Sequence, residues 1–132
     1  MNRKRLPTCE PTLDEAAALF KTLADPNRLR ILEVLMRGDS CNCELNEQLG
    51  LPPNLLSHHL RVLRKAGLVD SRRDAVDGRW IYYSANRTAL ACWQPWLNRF
   101  FDPDRVQARA VLCGPEGQQI TTEAGMTCQV SP

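Results

Sequence analysis

The chain has 132 residues, of which 43% are apolar and 24% charged, and carries a net charge of +2. That length holds one hydrophobic core and hardly two, and the balance is that of an ordinary soluble globular protein rather than a disordered one. No run approaches the length of a membrane span, and residues 1–11 are basic without the apolar run of a signal peptide. A cytoplasmic protein with no membrane contact follows, in which the six cysteines are expected as thiols rather than as a disulfide framework.

Thr12 and Glu15 have capping-box spacing and announce the first helix. Leu13, Ala16, Ala17, Phe20, Leu23 and Ala24 then share one face of it. Asp25-Pro26 is an N-cap followed by proline at the first helical position, and opens a second helix that Gly38 can end. Leu29, Ile31, Leu32, Val34, Leu35 and Met36 make that helix apolar nearly all round, which predicts burial. A short third helix is expected over 43–49, stopping at Gly50, and Pro52-Pro53 opens a fourth that runs through Ala66 to Gly67. So short a connection makes helices three and four a helix-turn-helix unit. Residues 68–74 and 79–84 read as two strands joined at Asp77-Gly78, a hairpin wing. A last helix is expected over about 86–101, kinked or split by Pro95.

The organisation expected is therefore an arm over 1–11, a winged helix-turn-helix domain over 12–101 and an extension over 102–132. The fold class is mainly α with a small two-stranded hairpin and about five helices.

Charge is unevenly placed. Between Arg61 and Arg87 stand Arg61, Arg64, Lys65, Arg72, Arg73, Arg79 and Arg87 against Asp70, Asp74 and Asp77. A local basic excess of this kind is the footprint of a nucleic-acid surface. On the fourth helix Asn54, Ser57, His58, Arg61 and Lys65 fall at i, i+3, i+4, i+7 and i+11, opposite Leu56, Leu60 and Leu63. Amide and imidazole groups suit base edges, while hydroxyl and guanidinium groups suit phosphates. His59, about 100° from His58 around the helix, is expected to pack at its side. In the wing Arg72, Arg73 and Arg79 are candidates for phosphate or minor-groove contact.

Cys41 and Cys43 flank Asn42 at the start of the third helix. Two thiols so close suggest a soft-ion site, and a helix N-terminus favours the thiolate that ligation needs. On a regular helix the two side chains diverge by roughly 200°, so they share an ion only if the first turn is irregular or unwinds. A trigonal site needs a third thiol. Cys9 is the first choice, with Cys92, Cys113 and Cys128 as alternatives.

Taken together these residues resemble the ArsR/SmtB family of metal-sensing repressors over about residues 13–97. The likeness rests on LADPNRLRIL at 23–32, LLSHHLRVLRKAGLV at 55–69 and GRWIYY at 78–83. It implies a winged-helix homodimer, held by the first and last helices, that binds a partly palindromic double-stranded operator with its recognition helices in successive major grooves. The Cys41 and Cys43 pair matches the family's cysteine-x-cysteine sensor on the third helix, whose inducers are soft ions, with no organic cofactor. Asn46 stands where a third cysteine follows in arsenite sensors of the best-known type, and the final helix lacks the aspartate and histidine spacing of the zinc and nickel sites. The second departure argues against a zinc or nickel sensor of that kind; the first leaves the inducer open, with arsenite or antimonite placed ahead of cadmium and lead.

Two rivals stay open: a thiol redox or persulfide sensor of the same fold, and a winged-helix module that binds protein instead of DNA. No phosphate-binding glycine loop and no serine, histidine and acid set suggests an enzyme.

Overall fold

The computed structural model describes residues 10–115, which divide into one compact unit ending at Phe100 and a second beginning at Phe101. In the first unit, helix α1 (Leu13–Leu23) starts where the capping box predicts. Thr12 Oγ1 accepts the Glu15 N–H at 3.1 Å and Glu15 Oε1 accepts the Thr12 N–H at 3.4 Å. Helix α2 (Pro26–Met36) is capped by Asp25, whose Oδ1 accepts the N–H groups of Asn27 and Arg28 at 2.8 and 3.4 Å. Strand β1 (Ser40–Cys41), helix α3 (Asn42–Leu49) and helix α4 (Pro53–Lys65) follow. Gly50, at φ 63°, closes α3 in the left-handed region that glycine enters without a Cβ clash.

The hairpin of strands β2 (Val69–Arg73) and β3 (Ile81–Ala85) is shorter than expected, with Arg73 opposite Ile81 and residues 74–80 in the turn. Arg79 lies in that turn and not in the return strand. The wing is also not two-stranded. Ser40 and Cys41 pair antiparallel with Tyr83 and Tyr82, giving a three-stranded sheet in the order β1-β3-β2. Two residues carry no alternation to read, so the sequence held no sign of β1. Helix α5 (Arg87–Phe100) contains Pro95 and remains one helix. Its start is capped by Asn86 Oδ1, which accepts the Ala89 N–H at 3.0 Å.

Ile31, Leu45, Leu63 and Val69 are the most deeply buried large side chains, one each from α2, α3, α4 and β2. Around them pack Leu35, Leu49, Leu56, Leu60, Tyr83 and Trp93. The expectation that α2 is buried all round fails: Ile31 and Leu35 are inside, but Leu29 and Met36 are half-exposed or more. Leu13 and Phe20, a helical two-turn step apart on α1, also face outward. An aromatic cluster joins α1 to α5, with Phe20 at 6.5 Å from Trp96, and Trp96 stacked on Phe100 at 4.9 Å.

In the second unit Asp102 caps a single 3-10 turn (Pro103–Arg105), and the described residues beyond it have no regular element. Among the described residues no helix is long and apolar enough to cross a membrane.

Candidate nucleic-acid interface and thiol site

Helix α4 divides its two jobs by face. Leu56, Leu60 and Leu63 are buried, whereas Asn54, Ser57, His58, Arg61 and Lys65 are all exposed. Neither Arg61 nor Lys65 forms an ion pair among the described residues. Both cations are therefore available to phosphates without breaking an internal partner. Arg72, Arg73 and Arg79 are exposed as well, but each is held. Arg72 lies 3.8 Å from Asp39 and 4.6 Å over the Tyr82 ring. Arg73 Nη1 donates to the Gly78 carbonyl at 2.7 Å, and Arg79 is forked onto Asp77. Sequence reasoning missed these restraining groups. Asp77 had been read as a turn residue and as one of the segment's acids, not as Arg79's partner; Tyr82 faces Arg72 across the hairpin itself, and Asp39 stands just before β1.

His59 is buried more deeply than expected, at 4% exposure. Its Nδ1 lies 3.3 Å from Arg28 Nη1, and Arg28 Nε donates to the Thr22 carbonyl at 2.6 Å. A guanidinium has no acceptor, so His59 Nδ1 must receive this bond with its lone pair, which requires the neutral ring. Burial pushes the His59 pKa below its ordinary value; the Asp25 carboxylate opposes this, and the charges of Arg28 and His58 add to it. Above about pH 6.5 the ring is neutral in both folded and unfolded chains, and its contribution to stability is complete. As the pH falls below that value the unfolded chain takes the proton first, and stability drops until the folded ring also titrates. The melting temperature should therefore fall between pH 7 and 5, and His59→Asn, whose carbonyl can still accept from Arg28, should flatten that part of the profile. Identical slopes in variant and wild type would refute the assignment.

The thiols sit at the hinge between sheet and helix. Cys41 is the N-cap of α3, with extended backbone at φ −81° and ψ 164°. Its Sγ accepts the Glu44 N–H at 3.4 Å and donates to Glu44 Oε1 at 3.4 Å, and its side chain is buried. Cys43, two residues on, is exposed. One thiol of the pair is thus occupied in the cap and the other faces solvent. Among the described residues no three histidine, cysteine, aspartate or glutamate side chains converge on one point. Asn46 Oδ1 is buried without a hydrogen-bond partner, at the place where the resemblance would have put a third cysteine. In donor chemistry two thiols near the Glu44 carboxylate suit a soft ion, and Cys41 is engaged with Glu44 in the cap. Expected third ligands Cys9 and Cys128 lie outside the described residues, while the free thiols within them are Cys41 and Cys43. The expectation that every cysteine is a thiol fails for Cys92 and Cys113.

Residues 25–71, covering α2 to the start of the wing, match the family profile described as "Bacterial regulatory protein, arsR family". The transcriptional repressor SdpR of Bacillus subtilis is 33% identical over 84 residues, which span 64% of this chain and 90% of SdpR. The chain belongs to the arsR family. Other arsR-type sequences are similar over shorter stretches: the arsenic resistance transcriptional regulator ArsR1 of Pseudomonas putida is 42% identical over 66 residues, 49% of each chain. The solved structure of HlyU from Vibrio cholerae superposes with a TM-score of 0.54 at 32% identity, covering 67% of this chain and 92% of HlyU. As an arsR-family protein this chain is a DNA-binding transcriptional regulator with a winged helix-turn-helix fold, and not an enzyme.

Proposed function

We propose that the chain is a homodimeric repressor that holds operator DNA through α4 and the wing and releases it when Cys41 and Cys43 take up a soft ion. Arsenite or antimonite come first as inducers, cadmium or lead second. The observation that carries this reading is the double employment of Cys41, whose sulfur caps α3 while its backbone pairs with Tyr82 of the wing.

The coupling follows from those two bonds. To meet the Cys43 thiol, Cys41 has to leave the Glu44 N–H, which uncaps α3 and frees the first turn to unwind. The same movement pulls on β1, loosening its pairing with β3 and carrying Asp39 away from Arg72. Helix α3 packs on α4 across Gly50, so both halves of the DNA-contacting surface feel one event. The bound ion supplies strong thiolate bonds, and everything downstream is the loss of a cap, a strand pairing and an ion pair. Cys9, from the same or the partner protomer, is proposed as the third thiol. The outward Leu13 of α1, together with Phe20 of the aromatic cluster that joins α1 to α5, suits the helix pair proposed to close the dimer.

Exposure of Cys43 and the absence of a gathered three-donor site among the described residues also favour a second reading, in which the same thiols are oxidised or persulfidated. Reduced protein on its own upstream DNA, titrated with arsenite, antimonite, cadmium, lead and zinc, separates the two. Release by a soft ion under strict reduction, lost in Cys41→Ser and Cys43→Ser, is the expected result. Indifference to every ion together with release by an oxidant would replace this reading with the second.

A further inference from the structure

At the tip of the wing, Arg79 does not behave as a free cation. Its Nε donates to Asp77 Oδ1 at 3.0 Å and to Oδ2 at 3.2 Å, and its Nη2 donates to Oδ2 at 2.8 Å. The Arg79 backbone N–H also reaches Asp77 Oδ1, at 3.1 Å. Asp77 is itself fixed, because Asp74 Oδ2 accepts the N–H groups of Val76 and Asp77 at 3.0 and 2.9 Å. Arg73 braces the far side through the Gly78 carbonyl. The result is a hydrogen-bonded turn that carries a guanidinium by its Nε edge, with the side chain 89% exposed.

Two consequences follow from this fork. A guanidinium has five N–H donors, and Asp77 takes one edge, so the Nη1 donors on the opposite side point away from the carboxylate. The pair also carries no net charge. A phosphate is recognised mainly by charge and releases counterions in proportion to the charge supplied, so a neutral pair is poorly suited to it. A minor-groove edge is recognised by donors placed against adenine N3 and thymine O2, while the 2-amino group of guanine blocks the same approach. A pre-aimed, charge-compensated set of donors fits the second target.

We propose that Asp77 is a positioning residue that holds Arg79 as a minor-groove probe selective for A·T pairs. This rests on the DNA-contacting role given to the wing above, and it separates Arg79 from Arg61 and Lys65, which form no ion pair among the described residues and are the proposed phosphate contacts. Asp77 sets direction, and Arg79 makes the contact.

The test uses the full-length protein on its own upstream DNA. The base pairs beneath the wing tip are those whose hydroxyl-radical protection is lost in Arg79→Ala. Each A·T pair there is replaced in turn by G·C or by inosine·C. Inosine·C keeps the major-groove face of G·C but lacks the 2-amino group, so its minor groove resembles that of A·T. Wild type should bind the A·T and inosine·C duplexes about equally and the G·C duplex about tenfold more weakly, within the range of one good base contact. Arg79→Ala should lose this discrimination with little change in the salt dependence. Asp77→Asn, which can still accept the turn's N–H bond, should bind all three duplexes more tightly, with a log–log salt slope steeper by about 0.9 and weaker discrimination. The proposal is overturned if Arg79→Ala makes the slope shallower by about 0.9 and weakens the three duplexes equally, because Arg79 is then a phosphate contact. It is also overturned if Asp77→Asn matches wild type in slope and discrimination. Failure of wild type to bind any duplex would remove the DNA-contacting role itself, a distinguishable result.

Discussion

Leu63→Ala should lower the melting temperature sharply, while Arg61→Ala, two residues away on the same helix, should leave it unchanged and weaken operator binding instead. Leu63 is fully buried at the junction of α2, α3, α4 and β2. Removing its isobutyl group loses transfer free energy and leaves a cavity, a combined cost of about 2–5 kcal/mol. Domains of this size are stable by only about 5–15 kcal/mol, and each kcal/mol shifts the midpoint by about 4–8 °C. A drop of about 10 °C or more is therefore expected. Arg61 is exposed and makes no ion pair among the described residues, so its loss costs the fold little. Its proposed work is against phosphate, and Arg61→Ala should weaken all DNA sequences alike, by about tenfold, with a salt slope shallower by about 0.9. Thermal melts and fluorescence anisotropy at several salt concentrations read both quantities. If Arg61→Ala melts as early as Leu63→Ala, the outer face of α4 is structural. If it melts normally and binds DNA normally, α4 does not enter the groove as proposed.

That split between faces was legible in the sequence because α4 is amphipathic at the helical period, and both the leucine row and the polar row fell where the spacing put them. The helix starts were equally legible, since Thr12 with Glu15 and Asp25 with Pro26 satisfy local bonds that need no tertiary knowledge. Non-local features were not. Strand β1 is two residues long and exists because β3 offers it an edge, so the third strand could not be read from neighbours in sequence; the cap made by Cys41 is local, but cysteine is not among the residues that announce an N-cap. The Asp39–Arg72 pair is hidden for the same reason as β1, whereas Arg79 with Asp77 and Arg73 with Gly78 are near neighbours whose contacts depend on the shape of the turn, which spacing alone does not give. Helix α2 failed differently. Counting apolar residues around it predicted burial on every side, but Leu29 and Met36 are half-exposed or more. Pro95 was read as kinking or splitting the last helix because it removes one hydrogen bond, and α5 is not split. A single lost bond did not outweigh the packing of Ala89, Trp93 and Trp96 along the same helix.

The thiol pair is where the largest functional effect is expected, and the choice of substitution decides what is learned. Serine is among the best N-cap residues and has an oxygen where Cys41 has Sγ, so Cys41→Ser should keep α3 capped through the Glu44 N–H. Its resting operator affinity should equal that of wild type. A hydroxyl, however, is a poor ligand for a soft ion. Wild type should lose operator affinity by a factor of about 5–150 when the ion is added, the span of typical coupling free energies, and Cys41→Ser should lose none of it. Cys41→Ala makes the converse change, since it removes the cap without supplying an ion site. If uncapping α3 is the route to release, Cys41→Ala should bind the operator more weakly than wild type with no ion present, by a few-fold for a cap worth about 1 kcal/mol. Asp39→Asn should spare ion binding, read by ultraviolet thiolate-to-metal absorption, and shrink the factor of release, because Arg72 is then no longer tied to the moving strand. An ion that releases Cys41→Ser as readily as wild type would place the sensor elsewhere. Cys41→Ala with wild-type affinity would leave the thiols as the sensor but remove the cap as its transmission.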